Sequence, residues 1–404
     1  MLNSQFRFFM KQALVGLSFC LGLSVFAGQP GPAQAAQVPI RIGNTNPYSG
    51  PASAWGSAGK AMTAYFNMIN DQGGIQGRKI EFISLDDGYS PAKTVELTRR
   101  LVEQDRVLLM FGSLGTATNL AVQNYLNERK VPQLFVQSGA SRWNNPKQFP
   151  WTMGWSPSYF SEGRIYAKAI LSEQAQGKIA VLYQNDDFGK DYLNGLRDGL
   201  GAQAHRIVAQ ASYEPTDATV DSQVIALKAS GAEVLVNFAA PKFAAQTIRR
   251  LAEMGWKPVH YLNVTSNSIK SVLEVAGLEH AKGLISAAYY KDPSDPRWQS
   301  SPELKSYREF MARYMPQADI NDVFHVAGYS NAQTMEHVLR QCGTDLSRAN
   351  LMRQAANIRS LSLPMLLPGV TVDTSEQDFA PIQAMQLQRF DGQRWHLFGS
   401  IYGR

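Results

Sequence analysis

The sequence predicts an α/β fold in which two doubly wound parallel-sheet halves are joined by a crossover near the middle of the chain. Short apolar segments alternate with amphipathic helical segments from residue 39 to residue 291. Nearly continuous apolar strands between helices are typical of parallel sheets that are covered on both faces. The alternation stops once, at residues 149–157, where two Pro and two Trp occur without helical periodicity, and then restarts. One interruption of this kind indicates two sheets.

The bounds of the elements follow from the spacing of apolar residues and from the turn-forming residues between them. In the first half we predict strands at 40–43, 79–85, 107–111 and 131–136, and helices at 57–70, 91–103 and 117–128. In the second half we predict helices at 159–173, 190–200, 222–229, 243–254 and 269–275, and strands at 178–183, 206–212, 233–238, 258–263 and 281–290. We expect the last of these strands to return toward the first half. The tail adds helices at 302–314 and 322–340, and strand-like runs around Asp391-Gly392 that predict a β-hairpin.

The first 35 residues have the composition of a secretory signal peptide. Arg7 and Lys11 give a basic start, residues 13–28 are mostly apolar, and Ala33-Gln34-Ala35 places small residues where a signal peptidase cleaves. The apolar run is shorter than the roughly 20 residues that a bilayer span needs. A lipid anchor on Cys20 is disfavoured because the bulky Phe19 precedes it. We therefore expect residues 1–35 to be a cleaved signal peptide and the protein to reach the periplasm.

The remaining composition excludes several classes of protein. The formal net charge of +6 is spread along the chain and no run of Lys or Arg exceeds a pair, so nucleic-acid binding is not indicated. Cys342 is the only cysteine after Cys20, so the exported chain has no pair for an internal disulfide. The six His residues show no metal-ligand spacing, and we expect neither a metal nor a cofactor.

Two segments match catalytic motifs only in part. Residues 56–60 resemble a phosphate-binding loop, but Ala54 replaces its first Gly and Ala61 replaces the hydroxyl that would bind magnesium. Residues 328–332 lack the last Gly of a nucleophile elbow and lie inside a predicted helix. We therefore expect no enzymatic activity, and a hydrolase is the weaker alternative.

A binding site is better supported, because three polar loops follow strands of the first half. Residues 46–51 and Trp55 follow the first strand, residues 112–118 follow the third, and residues 137–141 follow the fourth. Ligands of doubly wound sheets bind beyond the carboxyl ends of the strands. Free backbone N–H groups at a helix start, together with nearby hydroxyl groups, favour a carboxylate. Each Ser or Thr alone could instead be a helix N-cap, and the convergence of three loops is what indicates a site.

Four stretches of the chain resemble periplasmic solute-binding proteins of the leucine/isoleucine/valine type. They are residues 42–56, 73–80, 112–118 and 185–189. The resemblance implies a Venus-flytrap, type I periplasmic binding fold with a three-strand hinge. It places lobe one at 38–156 plus 288–366 and lobe two at 157–287 plus 367–404. It also implies the extracytoplasmic substrate-binding protein of an ABC transporter, a monomer that delivers a small molecule to a permease of the inner membrane.

The resemblance implies the candidate ligand-binding residues. The carboxylate site of the family maps onto Thr116, Ala140 and Ser141, with Leu114 and Gly115 beside the ligand. Trp55 falls where a pocket aromatic often lies, and Phe188 takes the place of a Tyr. Phe324 is a further candidate, because it is an aromatic residue at a helix start near the expected cleft.

One departure from the family bears on the ligand. The amino-acid binders place an acidic side chain against the ligand ammonium, but the matching stretch here, residues 263–267, contains no Asp or Glu. A buried ammonium without a carboxylate partner is costly to desolvate, so we expect an aromatic or otherwise unaminated carboxylate to bind better than leucine. The remaining alternative is a sensory or regulatory module of the same fold, which a fused DNA-binding, kinase or membrane segment would have indicated.

We predict that the exported protein begins at Ala36. The small residues Ala33 and Ala35 define the cleavage site because the peptidase admits only small side chains at these two positions. The intact mass of protein recovered from the periplasm measures the cleavage directly. A retained Met1 or a lipidated Cys20 would contradict the prediction.

Overall fold

The structure, a computed structural model, describes residues 38–173 and 176–403. The predicted signal peptide and its cleavage site lie outside the described residues. Among the described residues, no helix is long and apolar enough to span a membrane.

The first sheet is formed by five parallel strands. These are β1 (Ile40–Asn46), β2 (Ile80–Asp86), β3 (Leu109–Phe111), β4 (Gln133–Val136) and β5 (Thr152–Gly154), in the order β2-β1-β3-β4-β5. The connecting helices are α1 (Gly56–Asp71), α2 (Pro91–Glu103) and α3 (Thr116–Glu128). We call this sheet and the helices packed on it lobe one.

The second sheet has seven strands and begins after α4 (Tyr159–Glu173). Its elements in chain order are β6 (Ile179–Gln184), α5 (Asp187–Leu200), β7 (Ile207–Tyr213), α6 (Asp221–Ala229), β8 (Val234–Phe238), α7 (Pro241–Glu253), β9 (Val259–Leu262), α8 (Glu274–Ala276) and β10 (Ile285–Ala288). Strands β6 to β10 are parallel to their neighbours, in the order β10-β9-β8-β6-β7. We call this sheet and its helices lobe two.

The chain then crosses between the lobes twice more. Helices α9 (Pro302–Tyr314) and α10 (Val323–Gln341) pack against α1 of lobe one, and α11 (Arg348–Ala355) packs against α10. Strands β11 (Met385–Phe390) and β12 (Trp395–Tyr402) then form an antiparallel hairpin on β10 of lobe two. Three segments therefore connect the lobes, and the predicted class of two doubly wound parallel-sheet lobes is confirmed. The exact lobe boundaries remain a prediction.

The structure corrects the sequence prediction at four places. Residues 149–157 contain β5, which is too short to show an alternating pattern and is held by pairing with β4. The segment 281–290 forms β10 inside the second sheet, so the chain returns to lobe one only after this strand. Residues 269–273 form a widened turn in which the N–H groups of Val272 and Leu273 both bond to the carbonyl of Ser268. Helix α11 was not predicted, because it has few apolar residues to give a period.

Helix starts are set by local capping. Helix α5 begins at Asp187, three residues before the prediction, because the side chain of Asp186 accepts hydrogen bonds from the N–H groups of Phe188 and Gly189. Helix α7 begins at Pro241, whose fixed φ and missing N–H suit the first helical position.

Two glycines allow α4 and α5 to pack with their backbones in contact. A Cβ atom at Gly163 would lie 2.5 Å from the carbonyl oxygen of Tyr192 and 2.7 Å from the amide nitrogen of Leu196. A Cβ atom at Gly195 would meet the carbonyl group of Phe160. The close packing of these helices fixes Tyr159 and Phe188, which stand at their N-terminal ends.

A buried carboxylate joins α4 and α5 to the loop after β9. Glu162 on α4 is fully buried, and its Oε1 accepts hydrogen bonds from the hydroxyl of Tyr166 at 2.6 Å and from the N–H of Val264 at 2.7 Å. Its Oε2 accepts a hydrogen bond from the hydroxyl of Tyr192 at 2.8 Å. Burial raises the pKa of Glu162 to about 7, although the three hydrogen bonds oppose the shift. The side chain therefore holds the Val264 loop in place at the edge of the sheet.

We predict that Gly195→Ala lowers the free energy of unfolding by about 1–3 kcal/mol, because the new methyl group must separate two packed helices. Lys190→Ala on the exposed face of the same helix is the control, with an expected change within about 0.5 kcal/mol. Urea unfolding measures both values. Equal stabilities of the two variants would show that the helices can move apart without cost.

We predict that Glu162→Gln changes how stability depends on pH. Folding raises the pKa of this side chain from 4.5 to about 7. The folded state therefore keeps a proton that the unfolded chain has released, so the free energy of unfolding falls as pH rises across this window. Glutamine does not titrate, and the stability of the variant relative to the wild type should rise by about 2–3 kcal/mol between pH 5 and pH 8.

Urea unfolding at a series of pH values measures this difference. Glu128→Gln, which removes an exposed carboxylate on α3, is the control and should leave the profile parallel to that of the wild type. A parallel profile for Glu162→Gln as well would contradict the prediction.

Candidate functional site

The cleft between the lobes is lined by loops that follow strands of both sheets. We distinguish two compartments, which share Trp55. The Thr116 compartment is lined by Leu114, Gly115 and Thr116 after β3, Gln137 after β4, and Phe188, Pro241 and Thr265 of lobe two. The Asp292 compartment is lined by Phe324, Tyr289, Tyr290, Asp292 and Trp395. Because parallel strands all end at one edge of a sheet, these loops meet although they are far apart in sequence.

Thr116 begins α3 and faces the first compartment. It is 1% exposed, and its Oγ1 lies 2.7 Å from the Oγ of Ser138. No side chain of the described residues caps α3, so the N–H groups of its first turn are free for another acceptor. Gly115 precedes the helix with φ 101°, and a Cβ atom there would meet the ring of Tyr89. The glycine therefore lets the helix N-terminus and its positive dipole end approach the compartment.

Aromatic side chains form the opposite wall. Phe188 of lobe two packs edge-on against Tyr159, with ring centroids 5.2 Å apart. Tyr89 of lobe one accepts a hydrogen bond at 3.4 Å from the side-chain amide of Gln184 in lobe two. Burial raises the pKa of Tyr89 and of Tyr159, so both phenols stay neutral at physiological pH. The wall thus combines apolar ring faces with hydroxyl groups that can donate hydrogen bonds.

Trp55 connects the lobes and separates the compartments. Its Nε1–H donates a hydrogen bond at 3.0 Å to the carbonyl of Thr265 in lobe two. Its ring stacks on Phe324 at the start of α10, with centroids 4.2 Å apart and planes 25° apart. Two of the three aromatic candidates from the sequence, Trp55 and Phe324, are therefore in direct contact.

Ala140 and Ser141 line neither the Thr116 compartment nor the Asp292 compartment. They line a groove of about 700 Å³ at the hinge side of the molecule, together with Trp143 and Arg164. The N–H and the hydroxyl of Ser141 both donate to the carboxylate of Asp191 on α5, at 2.8 and 2.7 Å. Beside them, Arg142 pairs with Asp187 at 2.8 Å. In this conformation a carboxylate of lobe two occupies both donors that the sequence analysis assigned to a ligand.

Two aromatic residues that follow strands of lobe one, Tyr48 and Trp155, do not line either compartment. Trp155 is buried in the core against Phe135, with ring centroids 6.0 Å apart. The hydroxyl of Tyr48 is within 2.5 Å of the hydroxyl of Ser84. Sequence reasoning missed Tyr89, Thr265 and Asp292. All three follow predicted strands, since the strand predicted at 281–290 ends just before Asp292, but only the crossing after β10 brings that side chain to the cleft.

Both compartments are small in this conformation. Each has a free volume of about 30 Å³, which is close to the space that one water molecule occupies in the liquid. A larger molecule therefore needs the lobes to separate, and the contacts of Trp55 and Ser141 across the cleft must break. In the part of the chain that the structure describes, no three His, Cys, Asp or Glu side chains come together as a metal site would require.

The chain is similar to known binding proteins in sequence. A family model described as periplasmic binding protein matches residues 39–394. An amino acid binding protein of Pseudomonas aeruginosa is 25% identical over 229 residues, which are 54% of this chain and 58% of that protein. A Leu/Ile/Val-binding protein homolog 3 of Brucella melitensis is 28% identical over 218 residues, 52% of this chain and 57% of that protein. The matched region thus spans less than two-thirds of either curated relative.

Solved structures show the same fold. A substrate-binding periplasmic protein from Ralstonia solanacearum superposes with a TM-score of 0.81 at 23% identity, covering 89% of this chain and all of that one. A branched chain amino acid ABC transporter protein from Thermus thermophilus with bound valine gives a TM-score of 0.81 at 16% identity, covering 91% and 97% of the two chains. The predicted type I periplasmic binding fold and the predicted non-catalytic class are confirmed. The chain belongs to the periplasmic binding protein family.

Proposed function

We propose that this chain is the extracytoplasmic substrate-binding protein of an ABC importer and that it captures a small carboxylate between its two lobes. The observation that carries the proposal is the uncapped N-terminus of α3 beside the buried hydroxyl of Thr116, inside a compartment walled by both lobes. The exported protein works in the periplasm as a monomer, and its closed form is recognised by a permease in the inner membrane.

The carboxylate lies against the first turn of α3. Backbone N–H groups at a helix N-terminus and the positive end of the helix dipole both favour an anion. Thr116 adds a hydroxyl that is held by Ser138 at 2.7 Å and so has a fixed orientation. The neutral phenols of Tyr89 and Tyr159 leave no competing negative charge on this wall. Gly115 and Leu114 lie beside the carboxylate, as the resemblance implied.

The body of the ligand is apolar or aromatic and carries no amino group next to its carboxylate. No Asp or Glu is among the described residues that line the Thr116 compartment. An α-ammonium group would therefore be buried without a carboxylate partner, which is costly. Trp55 and Phe188 offer ring faces on which a flat or branched apolar group can pack. This composition supports an aromatic or otherwise α-unaminated carboxylate over leucine, although relatives are named for amino acids.

The ligand class predicts the outcome of a thermal-shift comparison of benzoate, coumarate, phenylalanine and leucine. A ligand that binds only the folded state raises the melting temperature by an amount that grows with the logarithm of its concentration relative to its Kd. We expect benzoate or coumarate to stabilise the protein more than either amino acid at equal concentration. Stabilisation by leucine alone would contradict the proposed ligand class.

Calorimetry with the best ligand of that comparison tests the proposed carboxylate site at Thr116. Thr116→Ala should weaken binding by about 1.5–3 kcal/mol, because it removes a hydrogen bond to a charged group. Thr116→Ser keeps the hydroxyl and is the control, with an expected loss well below that of the alanine variant. Equal affinities of all three proteins would mean that the hydroxyl only stabilises the loop through Ser138.

A further inference from the structure

The Asp292 compartment contains a carboxylate among aromatic rings. Asp292 follows β10, where the chain leaves lobe two, and it lines the compartment together with Trp55, Phe324, Tyr289 and Trp395. No residue of this set was assigned a charge-recognition role from the sequence. The position of Asp292 is also different from residues 263–267, the loop after β9 that lacks an acid.

One oxygen of this carboxylate is available to a ligand. Oδ1 accepts hydrogen bonds from the N–H and the hydroxyl of Ser294, at 2.8 and 2.7 Å. No described residue donates a hydrogen bond to Oδ2. Two cations close to it in sequence have other carboxylate partners, because Arg297 pairs with Asp295 and Lys291 lies 3.8 Å from Glu303. Burial raises the pKa of Asp292, although the hydrogen bonds from Ser294 and the charge of Arg297 oppose the shift.

The surroundings favour an organic cation as that partner. Aromatic faces attract ammonium groups through their negative π surfaces, and Trp is the strongest of them. Trp55 and Trp395 both line the compartment, together with the ring pair Tyr289 and Tyr290, whose centroids are 4.1 Å apart. A metal ion would need further oxygen or nitrogen ligands. In residues 38–173 and 176–403, no group of three or more His, Cys, Asp or Glu side chains could supply them.

The two compartments are close enough for one ligand to enter both. Trp55 lines each of them, and Val264 of the Asp292 compartment is the chain neighbour of Thr265 in the Thr116 compartment. Once the lobes have separated, a molecule held at Thr116 by its carboxylate can extend along Trp55 and present its far end to Asp292.

We propose that Asp292 binds an amino group at the end of the ligand remote from its carboxylate, so that the protein prefers ω-amino carboxylates with an apolar or aromatic spacer. This inference rests on the proposed function, because it takes the carboxylate to lie at Thr116. It names the second charged group of the ligand and the residue that selects it. It also agrees with the lack of an acid for an α-amino group in the Thr116 compartment.

Calorimetric titration with paired ligands tests the proposal. The first pair is 4-(aminomethyl)benzoate and 4-methylbenzoate, and the second is 5-aminopentanoate and pentanoate. In the wild type the aminated member of at least one pair should bind about 10- to 100-fold more tightly, the range of a hydrogen bond to a charged group. Asp292→Asn keeps the acceptor for Ser294 and should abolish that preference, while the affinity for the unaminated member changes by less than about twofold.

Two further variants make the result specific. Glu303→Gln removes a nearby carboxylate that does not line the compartment and should keep the preference for the amine. Asp292→Glu keeps the charge one methylene further along and should retain part of the preference, which also covers the case in which Asp292→Asn does not fold. Equal binding of aminated and unaminated ligands by the wild type would overturn the inference and leave the proposed function intact. Binding of none of the four carboxylates would overturn the proposed function itself.

Discussion

Parallel strands end together at one edge of a sheet, and the candidate site of this protein depends on that constraint. In each lobe the loops after successive strands must lie side by side, whatever their separation along the chain. Trp55, Tyr89, Thr116 and Gln137 follow the first four strands of lobe one, and Phe188, Pro241 and Thr265 follow strands of lobe two. Since these two edges face each other, loops form the walls of the cleft and the sheets lie behind them.

Several polar contacts cross the cleft. They include the indole hydrogen bond to Thr265, the Ser141–Asp191 pair and the exposed Arg142–Asp187 ion pair. Exposed ion pairs contribute little free energy, so the Arg142–Asp187 pair adds little to the stability of the closed form. A ligand that contacts both lobes then determines how much of the protein is closed, because it adds free energy to the closed form alone. Such a balance is what a receptor that must also release its ligand requires.

The walls of the cleft are rigid for a different reason. Within lobe two, Glu162 joins α4, α5 and the Val264 loop through three hydrogen bonds. Gly163 and Gly195 also let α4 and α5 pack with their backbones in contact. A buried carboxylate with satisfied hydrogen bonds fixes the geometry of its partners even when it contributes little net stability. These contacts all lie within lobe two, so they do not depend on how the two lobes meet.

The sequence alone determined the fold class, because apolar strands of parallel sheets and amphipathic helices leave distinct periods in the chain. It also indicated the loops after β1, β3 and β4 as the source of the site, and the resemblance added Phe188 after β6. Trp55, Thr116 and Phe188 do line one compartment. Only the tertiary structure decided that Ser141 faces Asp191 across the hinge and that Asp292 enters the cleft. The physical reason is that sequence periodicity reports which face of an element is buried, whereas the partner of a loop side chain depends on how two lobes meet. That meeting is set by three crossings of the chain between lobes, and no local pattern of residues encodes it.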